Sequence, residues 1–115
     1  QGALFHPAYA GVTLGLIHGS QPDAIVLCHD PSRQTIEDFP HIPITPVGVA
    51  IARYLEAARL TSPAVVCAGI AINSSAMDDA AWMAYRQSLE REHAVPVADP
   101  MRGGVDVIAR RLLAC

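Results

Sequence analysis

Two apolar stretches, residues 24–29 (AIVLCH) and 64–72 (AVVCAGIAI), restrict this chain more than any other feature. Neither alternates polar with apolar residues. A strand with one solvated face would alternate with a period of two, so these runs suit strands covered on both faces, as in a parallel sheet between helical layers. A shorter run at 95–98 contains Pro96. Proline has no N–H to give to a ladder, which puts this strand at a sheet edge. Leu4-Phe5 reads as the stub of a further strand.

The intervening segments carry helical periodicity. Over 46–60, Val47, Ala50, Ile51, Tyr54, Leu55 and Ala58 share one face, Arg53, Glu56 and Arg59 take the other, and Pro46 suits the first turn. Ser75 can cap the next helix, with Asp78 and Asp79 in its first turn and Met77, Ala81, Tyr85 and Leu89 as its inner stripe. Trp82 on that helix reads as core or interface. A last helix follows Gly103-Gly104, with Val105, Ile108 and Leu112 inward. Residues 8–19 are apolar nearly all round, which predicts a buried helix. Gly11, Gly15 and Gly19 give it a face without side chains, open to close packing or to a ligand. Residues 30–46 hold Pro31, Pro40, Pro43 and Pro46 and read as a loop or lid. The alternation predicts one α/β segment over 1–115, a parallel sheet with helices on both faces.

Composition removes several function classes. Hydrophobic residues are 51% of the chain and charged residues 17%, which is a folding composition rather than a disordered one. The net charge of −3 offers no basic surface for nucleic acid or anionic lipid. All 8 basic residues are arginine. A phosphate-loop lysine, a Schiff-base lysine and a lysine base are therefore excluded within these residues. No apolar run approaches the roughly 18 residues of a membrane span. Cys28 and Cys67 lie in apolar runs and read as small hydrophobes of a reducing, cytoplasmic protein. The spacing of His6, His18, His29 and Cys28 fits no structural zinc site, and no metal is expected.

In open α/β sheets, ligands sit beyond the carboxyl ends of the strands. The polar residues that follow the proposed strands are His6, His29-Asp30 with Arg33, Asn73-Ser74-Ser75, and Asp99 with Arg102. His29 and Asp30 could form an acid/base pair, or Asp30 could close a turn while His29 meets a backbone carbonyl. Arg33 or Arg102 could hold a carboxylate, and Asn73-Ser74 could read a ligand amide or base edge. His29, Asp30, Asn73 and Arg102 are expected to converge on one rim.

The stretches QGALFHPAYAGVTLGLIHGSQPDAIVLCHDPSR, AGIAINSS and PVADPMRGG resemble the C-terminal part of the D-glutamate N-acetyltransferase family, long catalogued as a domain of unknown function. The likeness spans essentially the whole chain, and HPAYAG and CHDP-x-R are its most specific segments. It implies the C-terminal half of a three-layer fold like that of phosphate-loop NTPases, similar to dethiobiotin synthetase. The phosphate loop would then lie upstream of residue 1, and Gln1-Gly2-Ala3-Leu4 resembles the tail of that superfamily's Glu-Gly-x-Gly motif. The same likeness puts Asn73 where dethiobiotin synthetases read adenine, although INSS stands here in place of their Asn-Asp pair.

What the resemblance implies is part of an enzyme that acetylates the amino group of D-glutamate from acetyl-CoA. His29 and Asp30 are then the catalytic candidates, His6, Arg33, Asp99 and Arg102 the substrate-binding ones, and Asn73 and Ser74 the cofactor-binding ones. The alternatives are an ATP- and magnesium-dependent carboxylate-activating enzyme and a non-catalytic ligand-binding or oligomerisation module. The expected partners are a small acidic amino acid, further copies of the chain, and an upstream half of the same polypeptide. Without that half, the segment is expected to be inactive and to bind ATP or acetyl-CoA weakly.

Overall fold

The structure is a computed structural model that describes residues 3–115. Its centre is a sheet of three parallel strands, β1 (Ala24–His29), β4 (Val66–Ile72) and β5 (Val97–Ala98), in the order β1-β4-β5. The unbroken apolar runs thus form a parallel sheet, and β5 is at an edge. Pro96 still contributes its carbonyl, which accepts from Ile70 N at 3.0 Å. The long run is shorter as a strand than its composition suggests, because a turn occupies residues 61–65. Ala58 O accepts from Ser62 N there, and Ser62 O from Val65 N.

The helix α1 (Ala10–Ser20) precedes β1, α2 (Val47–Arg59) and α3 (Asp79–His93) connect the strands, and α4 (Asp106–Leu113) follows β5. One sheet face, with Leu27, Ile70, Ile72 and Val97, packs on Val47 and Ala50 of α2 and on Trp82 and Leu89 of α3. Trp82 is therefore core. On the other face lies α4, whose Ile108 presses against Gly69. A Cβ at Gly69 would stand 2.9 Å from Ile108 Cγ1 and 2.9 Å from the Pro96 carbonyl oxygen. Only glycine lets β5 and α4 approach this closely. Helices therefore cover both faces.

Several expectations need correction. Leu4-Phe5 is no strand stub: Ala3–Phe5 forms a 3-10 turn, tied to α2 by Leu4 N donating to Tyr54 Oη at 3.1 Å. Gln1 and Gly2, which complete the proposed motif, lie outside the described residues. The helix α1 exists but is not enclosed, since Ile17 is its one buried residue and Val12 and Leu16 are about 70% exposed. Apart from the helix's own backbone and the adjoining residues, nothing among the described residues comes within 4 Å of a Cβ built at Gly11, Gly15 or Gly19. The cap of α3 is Asp78, whose Oδ1 accepts from Ala81 N at 2.8 Å; Ser74 to Met77 instead form a turn. Ala81 is exposed, and Trp82 takes the place in the core that the stripe assigned to it. On α4, Ile108 points inward, whereas Val105 and Leu112 are exposed.

The proline-rich segment is not a plain loop. It contains an antiparallel hairpin of β2 (Thr35–Ile36) and β3 (Phe39–Pro43), turned by Glu37 and Asp38. Asp38 has φ 65°, a left-handed conformation that its short polar side chain tolerates. Among the described residues, no helix is long and apolar enough to cross a membrane.

Candidate functional site

A cleft of about 800 Å³ opens beyond the carboxyl ends of β1 and β4, walled by the β2–β3 hairpin and by the turn before α1. His6, His29, Asp30, Arg33, Asn73 and Asp99 line it, so residues far apart in the chain do meet on one rim. The parallel ladder continues into this rim, with Asn73 N donating to His29 O at 3.0 Å.

The carboxylate of Asp30 is held there by three hydrogen bonds. Its Oδ1 accepts from Ser32 Oγ at 2.6 Å and from Ser32 N at 3.0 Å, and Asn73 Nδ2 donates to Oδ2 at 3.4 Å. The Ser32 hydroxyl, above all, holds its carboxyl below the usual carboxylate range against a partial burial penalty, with Arg33 helping. Asp30 is therefore ionised at neutral pH. The ring of His29, half-buried, has a basicity lowered mainly by burial, while the Asp30 carboxylate opposes the shift. The result is a neutral imidazole beside a fixed negative charge. Arg33 is half-exposed and lies 3.3 Å from Glu37 and 3.9 Å from Asp30.

Asn73 has both ends engaged, since its Oδ1 also accepts from Ser75 N at 3.2 Å. In this arrangement it steadies Asp30. Ser74 is withdrawn from the cleft. It is fully buried, and both its N–H (2.9 Å) and its hydroxyl donate to Asp99 Oδ2. Asp99 is itself 6% exposed, and its Oδ1 accepts from Met101 N at 2.8 Å. These bonds fasten the end of β4 to the end of β5, so Asp99 supports the cleft floor more than it offers free oxygens.

Arg102 faces elsewhere. It lines a smaller cavity with Trp82, Arg86 and Asp106, of about 330 Å³, to which Asp99 also contributes. Its guanidinium donates to Met77 O at 2.8 Å and to Asp78 O at 3.5 Å, and it pairs with Asp79 at 3.6 Å. Of the four residues expected on one rim, His29, Asp30 and Asn73 share the cleft and Arg102 does not.

Sequence reasoning missed part of the wall: Cys28, Ile36, Glu37 and Ile44. The alternation Thr35-Ile36 with an Asp at a turn was the available signal for the hairpin, masked by the prolines. Cys28 was expected inside its strand as a hydrophobe, but its thiol is exposed on β1 towards the cleft. Among the described residues, no group of three or more His, Cys, Asp or Glu side chains is arranged to hold a metal ion.

The family described as "Domain of unknown function (DUF1611_C) P-loop domain" matches residues 1–109. A solved DUF1611 family protein from Anabaena variabilis superposes with a TM-score of 0.88 at 32% identity, covering 100% of this chain and 34% of that one. A D-glutamate N-acetyltransferase from Pseudoalteromonas is 41% identical over 112 residues, 97% of this chain and 34% of the relative. One from Tritonibacter scottomollicae is 32% identical over 114 residues, again 34% of the relative. The chain spans about a third of the length of these relatives. It belongs to the DUF1611 P-loop family.

Proposed function

From that membership we propose that the chain supplies the acyl-transfer cleft of an enzyme that acetylates the amino group of D-glutamate, with acetyl-CoA as donor and the rest of the site on a longer polypeptide. The observation that carries this reading is a neutral His29 adjoining an ionised Asp30 in a cleft large enough for a small substrate and a thioester end. The names of the two relatives supply the substrate class.

In this reading the substrate ammonium is drawn to Asp30, and the guanidinium of Arg33 takes a substrate carboxylate in exchange for Glu37. His29 accepts one proton from the ammonium. The freed nitrogen lone pair attacks the thioester carbonyl carbon, forming the C–N bond and a tetrahedral oxyanion. Collapse breaks the C–S bond, and the thiolate leaves with the proton returned by the His29 imidazolium. The second amine proton is lost to solvent, leaving a neutral amide.

The test is thiol release by the longer protein given acetyl-CoA and either D- or L-glutamate, with and without ATP. The expected result is D-selective release without ATP, lowered about 10²–10⁴-fold in kcat by His29→Gln. Undiminished turnover in His29→Gln would remove the base assignment. ADP formation coupled to product would select the carboxylate-activating alternative, and no turnover of any kind the binding-module one.

A further inference from the structure

The cleft holds a second histidine whose role is set by its tautomer. His6 is 9% exposed, and its backbone carbonyl receives Tyr9 N at 3.0 Å and Ala10 N at 2.9 Å, so it is anchored to the start of α1. Its ring is wedged between the Tyr9 ring, 4.6 Å away between centroids, and the edge-on Phe39 ring of β3, at 5.1 Å. Within this wedge Nδ1 accepts the backbone N–H of Ala8 at 3.1 Å. A backbone amide can only donate. Nδ1 must therefore carry a lone pair, and the proton of the neutral ring is at Nε2. Among the described residues Nε2 makes no hydrogen bond, although the side chain lines the cleft.

We propose that His6 is a fixed neutral hydrogen-bond donor for a carbonyl oxygen in the cleft: its Nε2–H binds the thioester oxygen and, more strongly, the oxyanion formed when the amine attacks. This assignment rests on the acetyltransferase reading and divides its labour. A ring whose Nδ1 lone pair is occupied and whose Nε2 is protonated presents no lone pair to the cleft, so it cannot remove the ammonium proton. His29 has that task. His6 transfers no proton; it donates before, during and after the attack, and the bond tightens as negative charge grows on the oxygen. The aromatic wedge keeps the donor aimed, so little reorganisation accompanies the reaction. A donor of this kind is most effective where water is displaced, and a substrate filling the cleft onto which His6 faces supplies that exclusion.

Two measurements on the longer protein test this together. In the ¹⁵N-histidine-labelled wild type at neutral pH, long-range ¹H–¹⁵N correlation should show His6 as the Nε2–H tautomer, its Nδ1 resonance that of an unprotonated acceptor. In steady-state assays, His6→Phe keeps the ring packing and removes the donor. It should lower kcat about 10²–10³-fold with little change in the KM of D-glutamate. His6→Gln, which restores an N–H donor, should recover part of the loss, and the pH profile set by His29 should keep its position in both variants. A wild type that acetylates D-glutamate while His6 is the Nδ1–H tautomer, or while His6→Phe retains its kcat, overturns the His6 assignment alone. A wild type with no acetyl transfer overturns the parent reading, and the oxyanion role falls with it.

Discussion

Replacing Asp99 with alanine should destabilise the protein by about 3 kcal/mol, and the structure says why. Asp99 accepts three hydrogen bonds, from Ser74 N, Ser74 Oγ and Met101 N. Met101 is exposed, so water can replace its partner. Ser74 is fully buried, and both its donors would be stranded. Each buried donor left without an acceptor costs about 1–3 kcal/mol, which sums to roughly 2–6; water entering the vacated space puts the expected value near the lower half. Asp99→Asn keeps the shape and one acceptor oxygen, which can face Ser74, and should cost about 1–2 kcal/mol. The pH dependence carries a second, independent sign. Burial pushes the Asp99 carboxyl up, but the hydrogen bonds from Ser74 and Met101, with the nearby Arg102, hold it below the ordinary 3.8. A carboxyl with a depressed folded value contributes stability that is complete above the unfolded value and is lost as the pH falls through the folded one. The advantage of wild type over Asp99→Asn should therefore be constant near neutrality and shrink below pH 3.8. Urea unfolding across pH measures both. A cost for Asp99→Ala under about 0.5 kcal/mol, or an advantage that grows in acid, would refute the latch between β4 and β5.

Gly69→Ala should cost about 1–3 kcal/mol in thermal or urea unfolding, because the Pro96 carbonyl 2.9 Å from the new methyl is backbone and is already bonded to Ile70 N. In the longer protein, the acid limb of kcat/KM should have its midpoint below 6.5, since burial lowers His29. Asp30→Asn removes the charge that opposes that shift and should move the limb to still lower pH. Arg33→Ala should raise the KM for D-glutamate about tenfold or more. Arg102→Ala, whose guanidinium is spent on Met77 and Asp78 carbonyls, should change that KM much less.

The sheet was legible in the sequence because burial on both faces leaves an unbroken apolar run, and β4, with Ile70 and Ile72 almost wholly buried, is the clearest example. The edge position of β5 followed from one missing N–H. The hairpin was not legible, since four prolines weigh against a ladder and β3 tolerates Pro40 and Pro43 in a two-stranded ribbon. The environment of α1 also escaped. An all-apolar helix implies enclosure, but α1 lies against α2 and the turn before it, with His18 Nε2 2.8 Å from Ala57 O, and buries only Ile17, beside Ile25 and Val65. Composition cannot say which apolar surface the neighbouring elements reach. At the site, the rule that polar residues gather beyond parallel strands found His29, Asp30 and Asn73. It could not separate Arg102, which follows a strand just as they do but turns under α3 because three oxygen acceptors there compete for it. The latch between Ser74 and Asp99 depends on the β4–β5 register, which no single segment encodes.

The most direct test of the account is a crystal structure of the longer protein with N-acetyl-D-glutamate and coenzyme A bound. The product amide nitrogen is expected at the His29 ring, a carboxylate on Arg33 and the acetyl oxygen on His6 Nε2, all within the cleft beyond β1 and β4. Product bound in the smaller cavity beside Arg102, or on a surface remote from His29 and Asp30, would contradict it.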